Sequence, residues 1–576
     1  MLDSLKRFLN THGIRILIIA ISMLFLCAFI GRKEGFHMDE VLAYQLANAE
    51  YNPWIVPTQP VGRLAKFMAE HIDGDSISET FSNAMFIVKD TLTNRGNSIL
   101  ATYKADVYEA PVWITREAFR DYVQTNRSDD FNFASVYFNV KDDNHPPVHF
   151  MLLHLMSSIF KGDMSPMLGC AINLVAVLGV LWLIGLIGDK VFLSKYSTYA
   201  AMLLYGLSVG AVATTIWIRM YALLTLFTVW NLYFHIRNFG EPENDDESVI
   251  TRVKLPKNKG IFIMTILSFW TQYFGLFFVF PIAVVTIFVL AKRKEIKRMW
   301  AYIRTMVLAG VVGVCVYPFA IGDVLYSSRG TEALSTWGNG LADYANRIGE
   351  FLKVLATNVA GDFEIFLVLI LIPVIILFLK KKICFKTKWL FVLIPTVVYF
   401  LLASKMSPFY VDRYIMAIFP MAAILIIGLW NALLGDNQKW RMATIYGAIF
   451  VSVLSIYGMK GEHTYLYKGY EEQVWVAETY SEYPLVCYYP GLSFYENVME
   501  MERYEKTLLL KEEELSLMTK EHIKEVEAGY VLLIKFPQDN FGKVQLERVM
   551  EVFGGQSATL IYEGKPFGDA IYLVTP

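Results

Sequence analysis

The sequence predicts a polytopic α-helical membrane protein of about eleven transmembrane helices, with an external juxtamembrane helical loop and a small C-terminal external α/β domain. Three observations predict it. The chain is 55% hydrophobic and 15% aromatic over 576 residues, too apolar for a soluble protein built on one core. Its apolar residues fall into long uncharged runs. From Gly461 onward those runs give way to a charged segment with short β-type stretches.

A span needs about 20 mostly apolar residues. Such runs lie near 14–31, 166–187, 197–216 and 219–236, two share 260–291, and others follow near 299–321, 363–380, 388–404, 413–434 and 440–458. Lys6, Arg7 and Arg15 precede "ILIIAISMLFLCAFI" as in a signal sequence. No small-x-small cleavage site follows, so a retained first helix is expected.

The run "VHFMLLHLMSSIF", from Val148 to Phe160, is short for a span and carries His149 and His154. If it lies along the surface as an interfacial helix, the basic segments "GDKVFLSKY", "AKRKEIKRMW", "LKKKICFKTK" and "GDNQKWR" share one side with the N-terminus. The positive-inside rule makes that side the cytoplasm of a plasma-membrane protein. Residues 31–165, 322–362 and everything after about 459 then lie outside. The chain is accordingly divided into a transmembrane domain, 1–459, whose large external loop 31–165 holds interfacial helices, and an external α/β domain, 460–576. In the latter, "LVCYY", "YVLLIKF", "ATLIYE" and "AIYLV" read as strands and "KVQLERVMEVF" as a helix. "GEPENDDESV" reads as an acidic cytoplasmic loop.

A formal charge of −2 gives no overall field for nucleic acid. The five cysteines show neither C-x-x-C nor Cys/His spacing, so no disulfide framework or zinc site is implied. The informative polar residues are those that interrupt apolar patterns on the outer side. They are Asp39 and Glu40 after the first span, and Asp142, Asp143 and His145 in "KDDNHPPVHF". Further along come Arg219 in "WIRMYALL", Gln272 and Tyr273 in "FWTQYFG", and Arg413 in "VDRYIMAIFP". Singly, each has a plainer reading: a solvated helix start, a cap before a proline-led helix, a snorkelling anchor, a helix break. Together they suit transfer from a phosphate-linked, membrane-anchored donor. Arginines stabilise a leaving lipid phosphate, and a carboxylate takes the proton of the attacking hydroxyl. In a helix, Asp39 and Glu40 point roughly 100° apart and so serve different partners.

"HMDEVLAYQLA", "DNHPPVHFMLLHL", "RMYALL" and "DRYIMAIFP" resemble, in order and in side, the motifs of family 39 glycosyltransferases. These are the protein O-mannosyltransferase and aminoarabinose-transferase relatives within the GT-C superfamily. The resemblance covers about residues 10–460. It implies a GT-C-like fold and an inverting transferase, metal-independent or metal-assisted, that moves a hexosyl or pentosyl group from a polyprenyl-phosphate donor to an extracytoplasmic hydroxyl. Asp39 would be the general base, with Glu40 its neighbour in binding. Arg219, Arg413, His145 and Tyr221 would serve the donor phosphate, with Asp143, Gln272 and Tyr273 as acceptor or metal candidates. Two positions depart from the family pattern: "IWI" precedes Arg219 where relatives carry Gln-Glu-Ala, and Gln272 stands where histidine is common. The acceptor (protein, lipid or wall polymer) and any divalent cation stay open. The segment "SSRGTEALSTWGNGLADY" is a candidate cover, and no chemistry is assigned to the C-terminal domain. A transporter or flippase of a lipid-linked sugar is the alternative. It would place ionisable groups at mid-bilayer depth and often show inverted repeats, whereas these spans contain almost no acids in their centres and no repeat is visible.

Overall fold

The computed structural model describes residues 2–51, 55, 63–103, 111–126, 129–162, 164–192, 194–241, 258–325, 336, 340–380, 386–435, 438–535 and 539–576. Most of the candidate cover and of the acidic loop lies outside the described residues. The chain forms two compact units. One comprises Met1–Gly31, Asn144–His149 and Cys170–His463; the other comprises Arg32–Asp143, Phe150–Gly169 and Thr464–Pro576.

The first unit is helical. Among the described residues, seven helices are long and apolar enough to cross a membrane, or up to nine if each of two bent pairs is one span. The shortfall from about eleven has physical causes. Lys259–Phe269 has only 11 residues. Tyr221–Phe239 carries Asn231, His235, Arg237 and Asn238 along its length. Val148–Ile159, which is not one of the eleven runs, has 12 residues; it reaches about 18 Å, too short for a hydrocarbon core of about 30 Å.

The sharpest bend, 88°, separates Leu341–Ala360 from Phe363–Leu379. Gly361 adopts φ +80° there, and a Cβ on it would lie 2.6 Å from the Ser455 Cα, so only glycine fits. Asp362 restarts the chain as a helix, its carboxylate accepting the amides of Glu364 and Ile365 at 2.9 and 3.1 Å.

The basic segments gather at one end of this unit. Arg15 pairs with Asp189, Lys388 donates to the Lys190 carbonyl at 3.0 Å, and Arg293 donates to the Phe239 carbonyl at 2.8 Å. Helix direction then fixes the other end. Tyr221–Phe239 runs from the Arg219 turn to the basic end, and Leu276–Lys292 runs there from the Gln272 break. Thr387–Met406 leads away from Lys388 towards Arg413. Arg219, Gln272 and Arg413 therefore lie at the end opposite the basic loops.

The second unit is built on a mixed sheet of β1 (Trp113–Thr115), β2 (Leu485–Tyr488), β3 (Lys506–Leu510), β4 (Tyr530–Ile534), β5 (Ser557–Gly564) and β6 (Asp569–Thr575), in the order β1-β3-β2-β4-β6-β5. β2 pairs in parallel with β3 and β4, and the other pairings are antiparallel. β2 and β4 are buried at every position, which is why they read as continuous apolar runs. On one face Val486, Leu508, Leu532 and Val574 pack against Val549 and Phe553 of the helix Asp539–Phe553. The four strands read from sequence are present; β3 and the three-residue β1 are additional.

β1 comes from the loop 31–165, so that loop and the C-terminal segment share one sheet. Arg116 reinforces the join, its Nε donating to the Tyr504 carbonyl at 3.3 Å. His522 Nε2 meets the Pro111 carbonyl at 2.7 Å. The break drawn at 459/460 falls at His463/Thr464 in the structure, and most of the loop assigned with the membrane helices groups with the C-terminal segment.

Candidate functional site

In the helical unit the site begins with a break between Val209–Ile216 and Tyr221–Phe239. Asn173, on the apolar helix Pro166–Val191, donates to the carbonyls of Thr215 and Trp217 at 3.2 and 2.6 Å. It thereby satisfies groups that the break would leave bare in an apolar setting. The turn so held presents Arg219, which is 4% exposed. Its Nη2 donates to His145 Nδ1 at 3.3 Å, which leaves the neutral ring's proton on Nε2. Arg413 stacks over the Trp217 ring of the same turn at 5.5 Å and over Tyr414 at 5.4 Å. Tyr221, buried at the start of its helix, neighbours Tyr399, whose hydroxyl donates to the Tyr414 carbonyl at 3.1 Å.

The "HPPV" segment is fixed from the other side by Val148, whose amide donates to the Trp270 carbonyl at 3.1 Å. Asn144, at φ +61°, makes the turn into it. Trp270 ends Lys259–Phe269 and begins the break that carries Gln272, so His145 and Gln272 belong to one neighbourhood. Gln272 is buried. Tyr273 donates its hydroxyl to Asp323 at 2.5 Å. His149 is fully buried, and burial, with Arg219 and His145 beside it, pushes its ring down to about 3. It is therefore a neutral member of the group.

Asp39, Glu40 and Asp143 belong to the second unit. The helix Met38–Asn48 starts with a capping box: His37 Nδ1 accepts the Asp39 amide at 3.1 Å, and Glu40 accepts the His37 amide at 2.8 Å. Glu40 also receives the Lys33 ammonium at 3.0 Å, and both side chains are fully buried. Lys33 goes on to the Tyr465 carbonyl at 2.7 Å. The approach to this helix is tight, for a Cβ on Gly35 would lie 2.7 Å from the Tyr470 ring. Asp39 differs from its neighbour: its side chain is 27% exposed and lies 3.6 Å from His37 Nδ1. The two acids thus serve different partners, Glu40 inward to a lysine and Asp39 towards solvent. Asp143 is half-buried after the short helical turn Val140–Asp142. No group of three or more His, Cys, Asp or Glu able to hold a metal ion occurs among the described residues.

No family model matches this sequence, and no curated protein matches it. Among solved structures, the chain is similar to ArnT from Cupriavidus metallidurans bound to undecaprenyl phosphate, at TM-score 0.46 and 11% identity over 98% of each chain. It is also similar to ArnT from the same organism in the apo state, at TM-score 0.40 and 12% identity over 75% of this chain and 87% of that one. At this depth of similarity neither likeness bears on what the chain does.

Several residues around these positions escape sequence reasoning. Asp323 had a signal, being an acid just past an outer span end in "IGDVL". Trp217 and Asn173 had none, since an aromatic or an amide in an apolar run reads as core. In the second unit a buried charge cluster lies where no chemistry was expected. Lys535 Nζ lies 2.9 Å from Asp569 and 3.1 Å from Glu496, and Asn497 donates to Asp569 and Glu500 at 2.8 and 2.7 Å. Burial, then the nearby Asp569 charge, raises the Glu500 carboxyl to about 8.

Proposed function

We propose that this multi-pass membrane protein is a glycosyltransferase of the GT-C kind, moving a sugar from a polyprenyl-phosphate donor to an acceptor hydroxyl outside the cytoplasm. The observation that carries the reading is the contact between His145 and Arg219. Two motif fragments 74 positions apart meet, beside Arg413, at the helix ends opposite the basic loops. Positive-inside bias makes the basic end cytoplasmic, so the arginines serve the outer leaflet, where lipid phosphates lie. Arg219 and Arg413 bind and neutralise the donor phosphate, with His145 and Tyr221 shaping that pocket. Gln272 and Tyr273 are assigned to the acceptor side.

Asp39, partly exposed at a helix N-terminus, is the base. The acceptor oxygen bonds to the anomeric carbon as its proton passes to Asp39. The bond from that carbon to the phosphate oxygen breaks with inversion, and the electron pair leaves on polyprenyl phosphate. Glu40 does not share this work: its buried pairing with Lys33 makes it the support for the Asp39 turn. Asp143 stays a candidate on the acceptor side.

Membranes containing the protein, supplied with radiolabelled undecaprenyl-phosphate mannose or undecaprenyl-phosphate aminoarabinose, test the reading. Asp39→Asn is expected to lower kcat by about 10²–10⁴. Arg219→Ala is expected to raise the donor KM by about tenfold or more. Parental transfer by the Asp39 variant removes the base, and unchanged donor dependence removes Arg219 from the phosphate site.

A further inference from the structure

We infer that Arg347 is a positioning residue for the donor phosphate: it clamps the segment of chain that carries Arg413. The inference rests on the reading of Arg413 as a phosphate ligand.

The clamp lies wholly within the helical unit. The helix Thr387–Met406 ends where Ser407 turns extended, at φ −74° and ψ 138°, and Pro408 follows, which bars a further helical turn. The last carbonyls of a helix have no partner inside it. Arg347, on Leu341–Ala360 and 7% exposed, serves one of them: its Nε donates to the Ser404 carbonyl at 2.8 Å. Its Nη2 donates to the carbonyl of Ser407, just past the helix. Its guanidinium lies over the Tyr410 ring at 5.2 Å. One side chain therefore touches the chain at three successive points.

Neighbours on the same helix tighten the hold. Phe351 meets the Tyr410 ring edge-on at 6.0 Å. The Tyr344 hydroxyl donates to the Leu401 carbonyl at 2.9 Å, and Lys405 Nζ lies over the Tyr344 ring at 5.2 Å. Tyr410 precedes Arg413 by at most about 11 Å of extended chain, and Leu341–Ala360 packs against the turn Asp412–Tyr414 itself. On the far side of Arg413, the Tyr399 hydroxyl holds the Tyr414 carbonyl at 3.1 Å. Arg413 is thus strung between two fixed points, free only to stack on Trp217 and Tyr414.

The choice of residue points to a task beyond closing a helix. Arg347 is a cation at the end opposite the basic loops, the end that positive-inside bias leaves poor in cations. A single donor would cap Ser404. The planar fork of arginine serves two carbonyls and a ring at fixed mutual angles, and what those angles fix is the direction in which the chain leaves the helix towards Arg413.

The test is a double-mutant cycle on the donor KM, in the membrane transfer assay with the same two radiolabelled donors. Arg347→Gln is expected to raise the donor KM by about tenfold with kcat less affected. In an Arg413→Ala background, with no guanidinium left to place, it is expected to add no more than about twofold. Arg347→Lys, which keeps the charge and one donor, is expected to recover part of the loss. Tyr410→Leu removes the ring at the exposed end of the clamp; it is expected to couple to Arg413→Ala in the same way and covers a folding failure of the Arg347 variants. A residue that merely supports the fold would lower the rate in both backgrounds without moving the donor KM. An unmoved KM, or an equal rise in both backgrounds, for Arg347→Gln and Tyr410→Leu overturns this inference, and a raised KM in Arg413→Ala alone then leaves the phosphate reading standing. A donor KM unchanged by Arg413→Ala overturns both.

Discussion

Asp39 and Glu40 are neighbours of the same chemical type with opposite fates, and the cause is a lysine seven residues earlier. Lys33 is buried, and Glu40 neutralises it while also accepting the His37 amide. Glu40→Gln keeps an acceptor for that amide but leaves an ammonium buried without its counter-charge. The expected cost is about 3–5 kcal/mol, read as a lowered unfolding temperature of the purified protein in detergent. A variant as stable as the parent would mean that Lys33 finds another anion. The sequence showed that the two acids must point apart, because successive helical residues always do. Which one is committed to a buried partner depended on Lys33 and Tyr465, the latter separated from Lys33 by 432 positions.

Among the elements, the break at Trp217–Met220 places Arg219, and the helix Pro166–Val191 is what holds it open. Two carbonyls of that break depend on the Asn173 amide. Asn173→Ala leaves them bare in an apolar setting, a loss of about 1–3 kcal/mol. The Arg219 turn is expected to loosen and the donor KM to rise by about tenfold, with kcat less affected, in the membrane transfer assay. An equal fall in kcat with KM unchanged would place the effect elsewhere. The sequence located this break correctly between two apolar runs, since "WIRM" puts a charge where a continuous helix could not hide it. Asn173 itself was illegible, because one amide in 26 helical residues carries no periodic signal.

For the molecule as a whole, the sheet cluster makes the second unit sensitive to pH. Folded Glu500 keeps its proton up to about 8, whereas the unfolded carboxyl releases it near 4.5. Between those values the folded state binds more protons, so stability falls as pH rises from about 4.5 through about 8 and levels off above. Hydrogen exchange of the β2 and β4 amides, corrected for intrinsic rate, is expected to show protection declining across that window. Glu500→Gln is expected to flatten the decline, and an equally steep decline in that variant would assign the proton to another group. By itself the sequence determined the helical membrane class, most of the spans, four of the five strands of the C-terminal part and the residues worth watching. Those properties are written in local periodicity and in charge placed against apolar runs. Only the tertiary structure decided that His145 meets Arg219, that Glu40 is spent on Lys33, and that the loop 31–165 lends a strand to the C-terminal sheet. The first and third join residues tens to hundreds of positions apart; the second spans only seven positions, but buried charge pairing is a property of the packed chain rather than of any window within it.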